Sequence, residues 1–304
     1  MKFVLIRSFS GFGDRVEHLS CVFHYCLKVG RTMVIDWTDH VWCGEEIEKE
    51  FSYYFILNKV NFMKLNEFKL LFIKNKKSGN EMTFLPPFYS DVVLRRSDET
   101  EVKYRYGDLQ ATIKEICLGK RKDFEQDVLV TTDLDKRNSN GIVAITNLVY
   151  RPFIMDYIKQ DPNYLFLMNN KFITVHLRGS DRSKYTETHR PDLTNYSHHK
   201  ETYVQNLIKK IPRDTKNILL ISDSTSLVEY FLEIIDKKYN IIQTNNQKTS
   251  ENVGLHLEKT PSKENKNLEL LKDFYFMTNS TDVICDEVSR FSLTAMRICK
   301  LKKL

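Results

Sequence analysis

Residues 176 to 181 read His-Leu-Arg-Gly-Ser-Asp and follow directly on the apolar run Phe172-Ile173-Thr174-Val175. The run predicts a buried strand, and polar residues on its last step stand where parallel sheets bind their ligands. An arginine in that place can fork onto two phosphate oxygens through charge-assisted hydrogen bonds, a geometry that lysine does not reproduce. His176, Arg178 and Asp181 are therefore candidate anion-site residues; the alternative is an arginine paired with Asp181 at the surface.

Three other stretches carry residues of the same kind. Ser222 and Asp223 end the run Ile-Leu-Leu-Ile, where a carboxylate can accept the adjacent N–H donors of a guanine edge, or else cap the helix that follows. Ser289 and Ser292, in Ser-Arg-Phe-Ser, open the last amphipathic stretch, where hydroxyls and free N–H groups suit a phosphate; an ordinary cap is again the alternative. Near the start, Gly11-Phe12-Gly13-Asp14-Arg15 follows a strand-like run. Its glycines allow close approach of an anion or a sugar hydroxyl, but it matches neither the dinucleotide-binding nor the phosphate-loop glycine pattern.

Metal chemistry has little support. Asp133 and Asp135 have the D-x-D spacing that can hold a divalent ion beneath a nucleotide diphosphate, but two acids in a polar turn are common, and they are read as a turn. His198 and His199 are adjacent, a poor spacing for one metal. Six cysteines, at 21, 26, 43, 117, 285 and 299, show no C-x-x-C pair and are expected to be reduced thiols.

These residues need elements to position them. Residues 2–7 predict a strand, residues 16–27 an amphipathic helix ended by Gly30, and residues 32–37 a second strand, together a βαβ unit. The middle is harder to order: residues 84–89, with two prolines, must interrupt regular structure, and 127–133 and 141–148 look like short strands. From Phe172 onward strands and helices alternate regularly, which implies a parallel sheet covered by helices. A domain boundary is expected where Pro162 offers a turn, giving an acceptor-side domain over 1–165 and a nucleotide-binding Rossmann-like domain over 166–304.

A chain of 304 residues accommodates about two domains. With 41% hydrophobic and 28% charged residues it reads as a folded globular protein. The formal net charge of +6 favours anionic ligands in general, and the basic residues are too dispersed to indicate nucleic acid. No apolar run approaches a membrane span and the first residues are too short for a signal-peptide core, so a cytoplasmic location and a bacterial or viral source are expected.

Taken in order, the motifs resemble the fucosyltransferase superfamily, which comprises the nodulation fucosyltransferases, the core α1,6-fucosyltransferases and the protein O-fucosyltransferases. Residues 11–37 are similar to the opening of the nodulation enzymes, residues 176–181 to their H-x-R-x-x-D signature, residues 219–224 to their second motif and residues 289–298 to their serine-containing final helix. The resemblance implies a GT-B fold, two facing Rossmann-like α/β domains, and metal-independent, inverting transfer of fucose from GDP-fucose, without a cofactor, to a glycan or polypeptide hydroxyl. It also implies roles. Arg178 contacts the β-phosphate; His176, Asp181, Ser222 and Asp223 help to seat the nucleotide; Ser289 and Ser292 lie near the diphosphate. Gly11, Phe12, Gly13 and Asp14 belong to the loop facing the transferred sugar. Glu187, offset by one position from the carboxylate of related core enzymes, is the expected base, with Asp14 as runner-up. One departure stands out: where core and nodulation enzymes commonly carry a second arginine, this chain has Gly179. A transferase using another nucleotide sugar, or a binding protein without turnover, fits the same motifs.

Overall fold

The computed structural model describes residues 1–8, 10–98, 113, 115–132, 148–179, 200–244, 262–286 and 289–302. The chain divides into two compact units, 1–151 with 261–263, and 152–260 with 264–304.

The first unit is built on a sheet of β1 (Phe3–Arg7), β2 (Thr32–Asp36), β4 (Phe84–Leu85) and β5 (Val128–Thr131), in the order β2-β1-β5-β4 and parallel throughout. Every residue of β1 is buried, as a central parallel strand covered on both faces requires. The helix that follows, α1 (Phe12–Val29), covers the sheet with Val16, Leu19, Val22, Phe23 and Cys26, and Gly30 ends it in the left-handed region at φ 75°, its N–H bonded to the Cys26 carbonyl. Short helices α2 (His40–Cys43) and α3 (Phe51–Tyr54) lead into a two-stranded antiparallel sheet of β3 (Phe55–Leu57) and β6 (Leu148–Tyr150). Helix α4 (Leu65–Lys77) packs Leu65, Phe68 and Phe72 into the core with Phe3 and Val34, and α5 (Tyr89–Val92) follows the prolines.

The carboxyl ends of β1 and β2 are locked to each other. Arg7 and Asp36 are register partners at the last step of the two strands, and their buried side chains form an ion pair at 2.9 Å. A buried pair survives desolvation only if its remaining hydrogen-bond capacity is used. The guanidinium of Arg7 meets that need by donating to the carbonyls of Arg95 and Arg96 at 2.9 and 2.7 Å.

The second unit begins with α6 (Pro152–Lys159) and α7 (Tyr164–Asn169), so the division falls before the proline turn at Pro162 from which a boundary at 165 is expected. Packing explains the earlier start. Helix α6 lies against α10 (Glu264–Asn279), and the buried ammonium of Lys272 on α10 reaches Asp161 at 3.2 Å and Glu269 at 3.0 Å.

The sheet of this unit comprises β7 (Ile173–Leu177), β8 (Asn217–Ser222), β9 (Asn240–Gln243) and β10 (Val283–Ile284), all parallel, in the order β10-β7-β8-β9. Helices α8 (Lys200–Lys209) and α9 (Thr225–Ile234) bury Val204, Leu207, Leu227, Val228 and Phe231 against β7 and β8. Helix α11 (Arg290–Leu301) packs on α10. The chain runs from β7 outward through β8 to β9, then returns to add β10 on the other side of β7. That reversal is a topological switch point, and the crevice beyond the carboxyl ends of β7 and β10 is where open α/β sheets bind ligands.

Candidate functional site

At the switch point His176 occupies the penultimate position of β7, fully inside the sheet. Its Nδ1 lies 2.7 Å from the hydroxyl of Ser292, and its ring lies 5.8 Å from that of Phe291. Both contacts come from the first turn of α11, so the imidazole is fixed by the helix that follows β10. Ser292 is fully buried and is engaged with His176 and with the thiol of Cys285, which burial pushes up to about 11. It orients the histidine.

Arg178 is the first residue beyond β7. Its Nη1 donates to Oδ2 of Asp223 at 2.9 Å, and its backbone N–H donates to the hydroxyl of Tyr203 at 3.1 Å. The arginine remains 18% exposed whereas Asp223 is buried, so a carboxylate beneath the surface holds the guanidinium. Asp181, the alternative partner considered from sequence, lies outside the described residues, as does Glu187.

Asp223 uses its other oxygen to accept the N–H of Gly179 at 2.7 Å. Both oxygens thus brace the end of β7, and the structure makes Asp223 the buttress of Arg178. Ser222 closes a local turn: its hydroxyl donates to the carbonyl of Ser224 at 3.1 Å and accepts the Ser224 N–H at 3.0 Å. Ser224 is then the N-cap residue of α9.

Gly179 has a packing reason of its own. A Cβ there would sit 2.7 Å from Cβ of Ser224 and 2.8 Å from Cδ1 of Leu227, so no side chain fits without displacing the start of α9. The end of β7 and the first turn of α9 touch at this position.

Ser289 is the N-cap residue of α11, and its N–H is held by Asp286 Oδ1 at 2.7 Å. Its hydroxyl does not cap the helix although the residue is only 4% exposed.

In the first unit, the loop after β1 is organised by a residue whose role sequence reasoning missed. Arg15, fully buried, donates to the carbonyls of Ser8 and Ser10 and to Oδ1 of Asp39, each at 2.7 Å. Its guanidinium also lies 5.3 Å and 5.6 Å from the ring centroids of Trp37 and Trp42. Phe12 is drawn into the same aromatic cluster, stacked on Trp42 and Phe55, so its side chain is core and only its backbone can serve a ligand. Gly13 is buried in the first turn of α1, and Asp14 lies in that turn with its charge favourable to the helix dipole. Gly11 has an ordinary φ of −64°, and a Cβ there would meet nothing within 4 Å. Packing among the described residues does not require a glycine at that position.

A second group absent from the sequence reading is Asp273 on α10. Burial pushes its carboxyl up to about 8, and the hydroxyl of Thr244, just beyond β9, donates to it at 3.0 Å. The neighbouring Phe274 ring packs 5.4 Å from Phe291, which itself adjoins His176. A carboxyl perturbed by burial near His176 through Phe274 and Phe291 is a functional-site candidate.

No protein-family model matches the sequence, and no curated protein does. Solved structures do. The chain superposes on the fucosyltransferase NodZ from Bradyrhizobium with a TM-score of 0.59 at 17% identity, over 99% of this chain and 92% of that one. It superposes on POFUT1 in complex with GDP-fucose with a TM-score of 0.59 at 16% identity, over 98% of this chain and 94% of that one. The chain has the fucosyltransferase GT-B fold.

NodZ α1,6-fucosyltransferase co-crystallised with GDP is a further match, with a TM-score of 0.59 at 16% identity over 97% of this chain and 92% of that one. Among the described residues no helix is long and apolar enough to cross a membrane. No group of three or more His, Cys, Asp or Glu among them could hold a metal ion; Asp133, Asp135, His198 and His199 lie outside the described residues.

Proposed function

We propose that the protein transfers fucose from GDP-fucose to a hydroxyl acceptor, with inversion and without a metal. The observation that carries the reading is an arginine braced by a buried carboxylate at the switch point of a sheet whose fold is that of fucosyltransferases.

In such a transfer the acceptor oxygen attacks C1 of fucose as the bond from C1 to the β-phosphate oxygen breaks. The electron pair leaves with GDP, and the acceptor proton passes to a base. Negative charge therefore grows on the β-phosphate, and preorganised donors aimed at it lower the barrier. Arg178 is assigned that task together with the N-terminus of α11, whose first turn contacts His176. His176, fixed by Ser292, is assigned to the nucleotide. A guanine edge offers adjacent N–H donors and asks for a carboxylate acceptor; since Asp223 is engaged with Arg178 and Gly179, Asp273 is assigned to it, giving up its proton as the base binds because hydrogen bonds to the ionised form favour it. The Gly11 to Asp14 loop is assigned to the sugar. Glu187 is the proposed base and Asp14 the second choice. The acceptor is assigned only as a glycan or polypeptide hydroxyl, in a cytoplasmic setting.

Two measurements test this. GDP should raise the melting temperature where UDP does not, because a ligand that binds only the folded state stabilises it by mass action. GDP-fucose incubated with the protein and a panel of acceptors, with EDTA present, should yield a fucosylated product or, without acceptor, free fucose. Equal shifts with GDP and UDP, or turnover only on addition of Mn²⁺ or Mg²⁺, would contradict the reading.

A further inference from the structure

We propose that the amino-terminal edge of the second unit's sheet, the edge opposite Arg178, is a docking surface for a membrane whose lipids carry negative charge. The inference goes beyond the function proposed above and does not depend on it.

Cations that are dispersed along the sequence converge in the folded chain. Strands β7, β8, β9 and β10 are all parallel, so the segments that enter them lie along one edge and His176 and Arg178 lie at the other. Hydrogen bonds tie these entering segments together. The carbonyl of Lys171 accepts from Nδ2 of Asn217 at 2.9 Å, and Nδ2 of Asn240 donates to Oδ1 of Asn217 at 3.0 Å. The carbonyl of Lys216 accepts the N–H of Asn240 at 2.9 Å. Lys302, at the end of α11, donates to Oδ1 of Asn279 at 3.0 Å, and the Thr281 N–H donates to the carbonyl of Phe172, just before β7, at 2.7 Å.

The charge gathered there is large. Lys171 precedes β7; Lys209, Lys210, Arg213 and Lys216 lie between the end of α8 and β8; Lys237 and Lys238 precede β9. Lys300 and Lys302 close α11, and all nine cations are exposed. The last turns of the helices and the loops on the same edge carry four acids, Asp214, Glu233, Asp236 and Asp282. The excess of five compares with a formal net charge of +6 for all 304 residues. Favourable helix dipoles account for Lys209 and Lys300, which stand in last turns, but not for the cations of the loops.

Two features select a lipid surface as the partner. Eight of the nine cations are lysines, hydrated point charges that suit a diffuse anionic layer, whereas the planar fork of arginine is favoured for reading nucleic-acid phosphates. Apolar side chains stand among them: Phe166 in the last turn of α7, Leu232 in that of α9 and Leu301 at the end of α11 are 39%, 40% and 37% exposed. Lysines interleaved with leucine and phenylalanine match the boundary between headgroups and acyl chains. The ligand edge of the sheet stays clear of such a surface.

The test is co-sedimentation of the full chain with vesicles of phosphatidylcholine alone and of equimolar phosphatidylcholine and phosphatidylserine. Wild type should bind the mixed vesicles, leave the neutral ones, and dissociate as salt is raised. Replacing Lys209, Lys210, Lys216 and Lys237 by Gln should lower the partition coefficient by more than about twentyfold, since each cation near an anionic leaflet is worth about a fivefold factor. Replacing Lys64, Lys74, Lys76 and Lys77 of the first unit by Gln removes the same charge and should lower it by less than about threefold. All three proteins are compared at equal melting temperature. No binding to the mixed vesicles, equal losses in the two variants, or a higher affinity for single- or double-stranded nucleic acid than for the vesicles would overturn the inference and leave the proposed function standing. GDP that stabilises the protein no better than UDP would overturn the proposed function alone.

Discussion

Nη1 of Arg178 lies 2.9 Å from Oδ2 of Asp223, and the second oxygen of the same carboxylate takes the N–H of Gly179 at 2.7 Å. One buried carboxylate therefore fixes both the guanidinium and the backbone from which it springs. Asp223 is then a positioning residue: it sets where the arginine's donors point, which is what preorganisation of a charge-stabilising site requires.

If that is its role, Asp223→Asn should keep the bond to Gly179 through the amide oxygen and release the guanidinium. Transfer should fall by about ten- to a hundredfold in kcat, the scale of a misplaced catalytic group, with a melting temperature close to wild type. A change in KM alone, with kcat intact, would return Asp223 to the nucleotide.

At Gly179 the expected effect is on the fold. Gly179→Ala places a methyl 2.7 Å from Cβ of Ser224 and should cost about 1–3 kcal/mol, the range for overpacking a tight contact. Combining it with Ser224→Gly should recover a large part of that loss, since contacting sites couple in a double-mutant cycle. Additive destabilisation, measured by chemical unfolding, would show that the crowding has another source.

Gly11 should behave in the opposite way. Its φ is ordinary and its Cβ position is open, so Gly11→Ala should cost less than about 1 kcal/mol of stability, the scale of an N-cap change. Activity should nonetheless drop by about tenfold or more in kcat/KM, because the methyl occupies space assigned to the sugar. Full activity in a normally folded variant would show that the loop faces no substrate.

The carboxyl of Asp273 makes stability depend on pH. Its value in the folded chain is pushed up from 3.8 to about 8 by burial, so the folded protein keeps a proton that the unfolded chain releases above about pH 4. Stability attributable to this group is present at low pH and is lost as pH rises toward 8, by up to about 1.4 kcal/mol per pH unit, and levels off beyond. Asp273→Asn should flatten that slope in urea unfolding between pH 5 and 8, and should weaken GDP by about tenfold, a lost hydrogen bond to the base. An unchanged slope would mean that the carboxyl is ionised in the folded chain.

The second sheet is legible from sequence because its signals are local. Each apolar run from Ile173 to Ile284 becomes a strand and each stripe between them becomes a helix, with His176 and Arg178 at the end of β7 where the pattern places them. Other features depend on partners distant in sequence. Helix α4 hides in a segment where Leu70, Leu71 and Ile73 blur the stripe of Leu65, Phe68 and Phe72. Arg15 reads as a charged helix residue, and only the folded chain brings Asp39, Trp37 and the Ser8 carbonyl around it. Asp273 lies among apolar neighbours with no spacing that marks it, and its environment comes from Thr244 across the sheet edge. The crowding at Gly179 likewise requires α9 to be seated on β7.

Steady-state fucosyl transfer by wild type and by Arg178→Lys, compared at equal melting temperature, tests the central assignment most directly. Lysine keeps the charge and gives up the planar fork. An arginine that serves the leaving β-phosphate predicts a fall in kcat of about a hundred- to a thousandfold, the loss typical of one preorganised donor to a developing anion, together with weaker GDP binding. An arginine that only pairs with Asp223 to finish a strand predicts near-equal kcat values, and that result would contradict the donor site placed at Arg178.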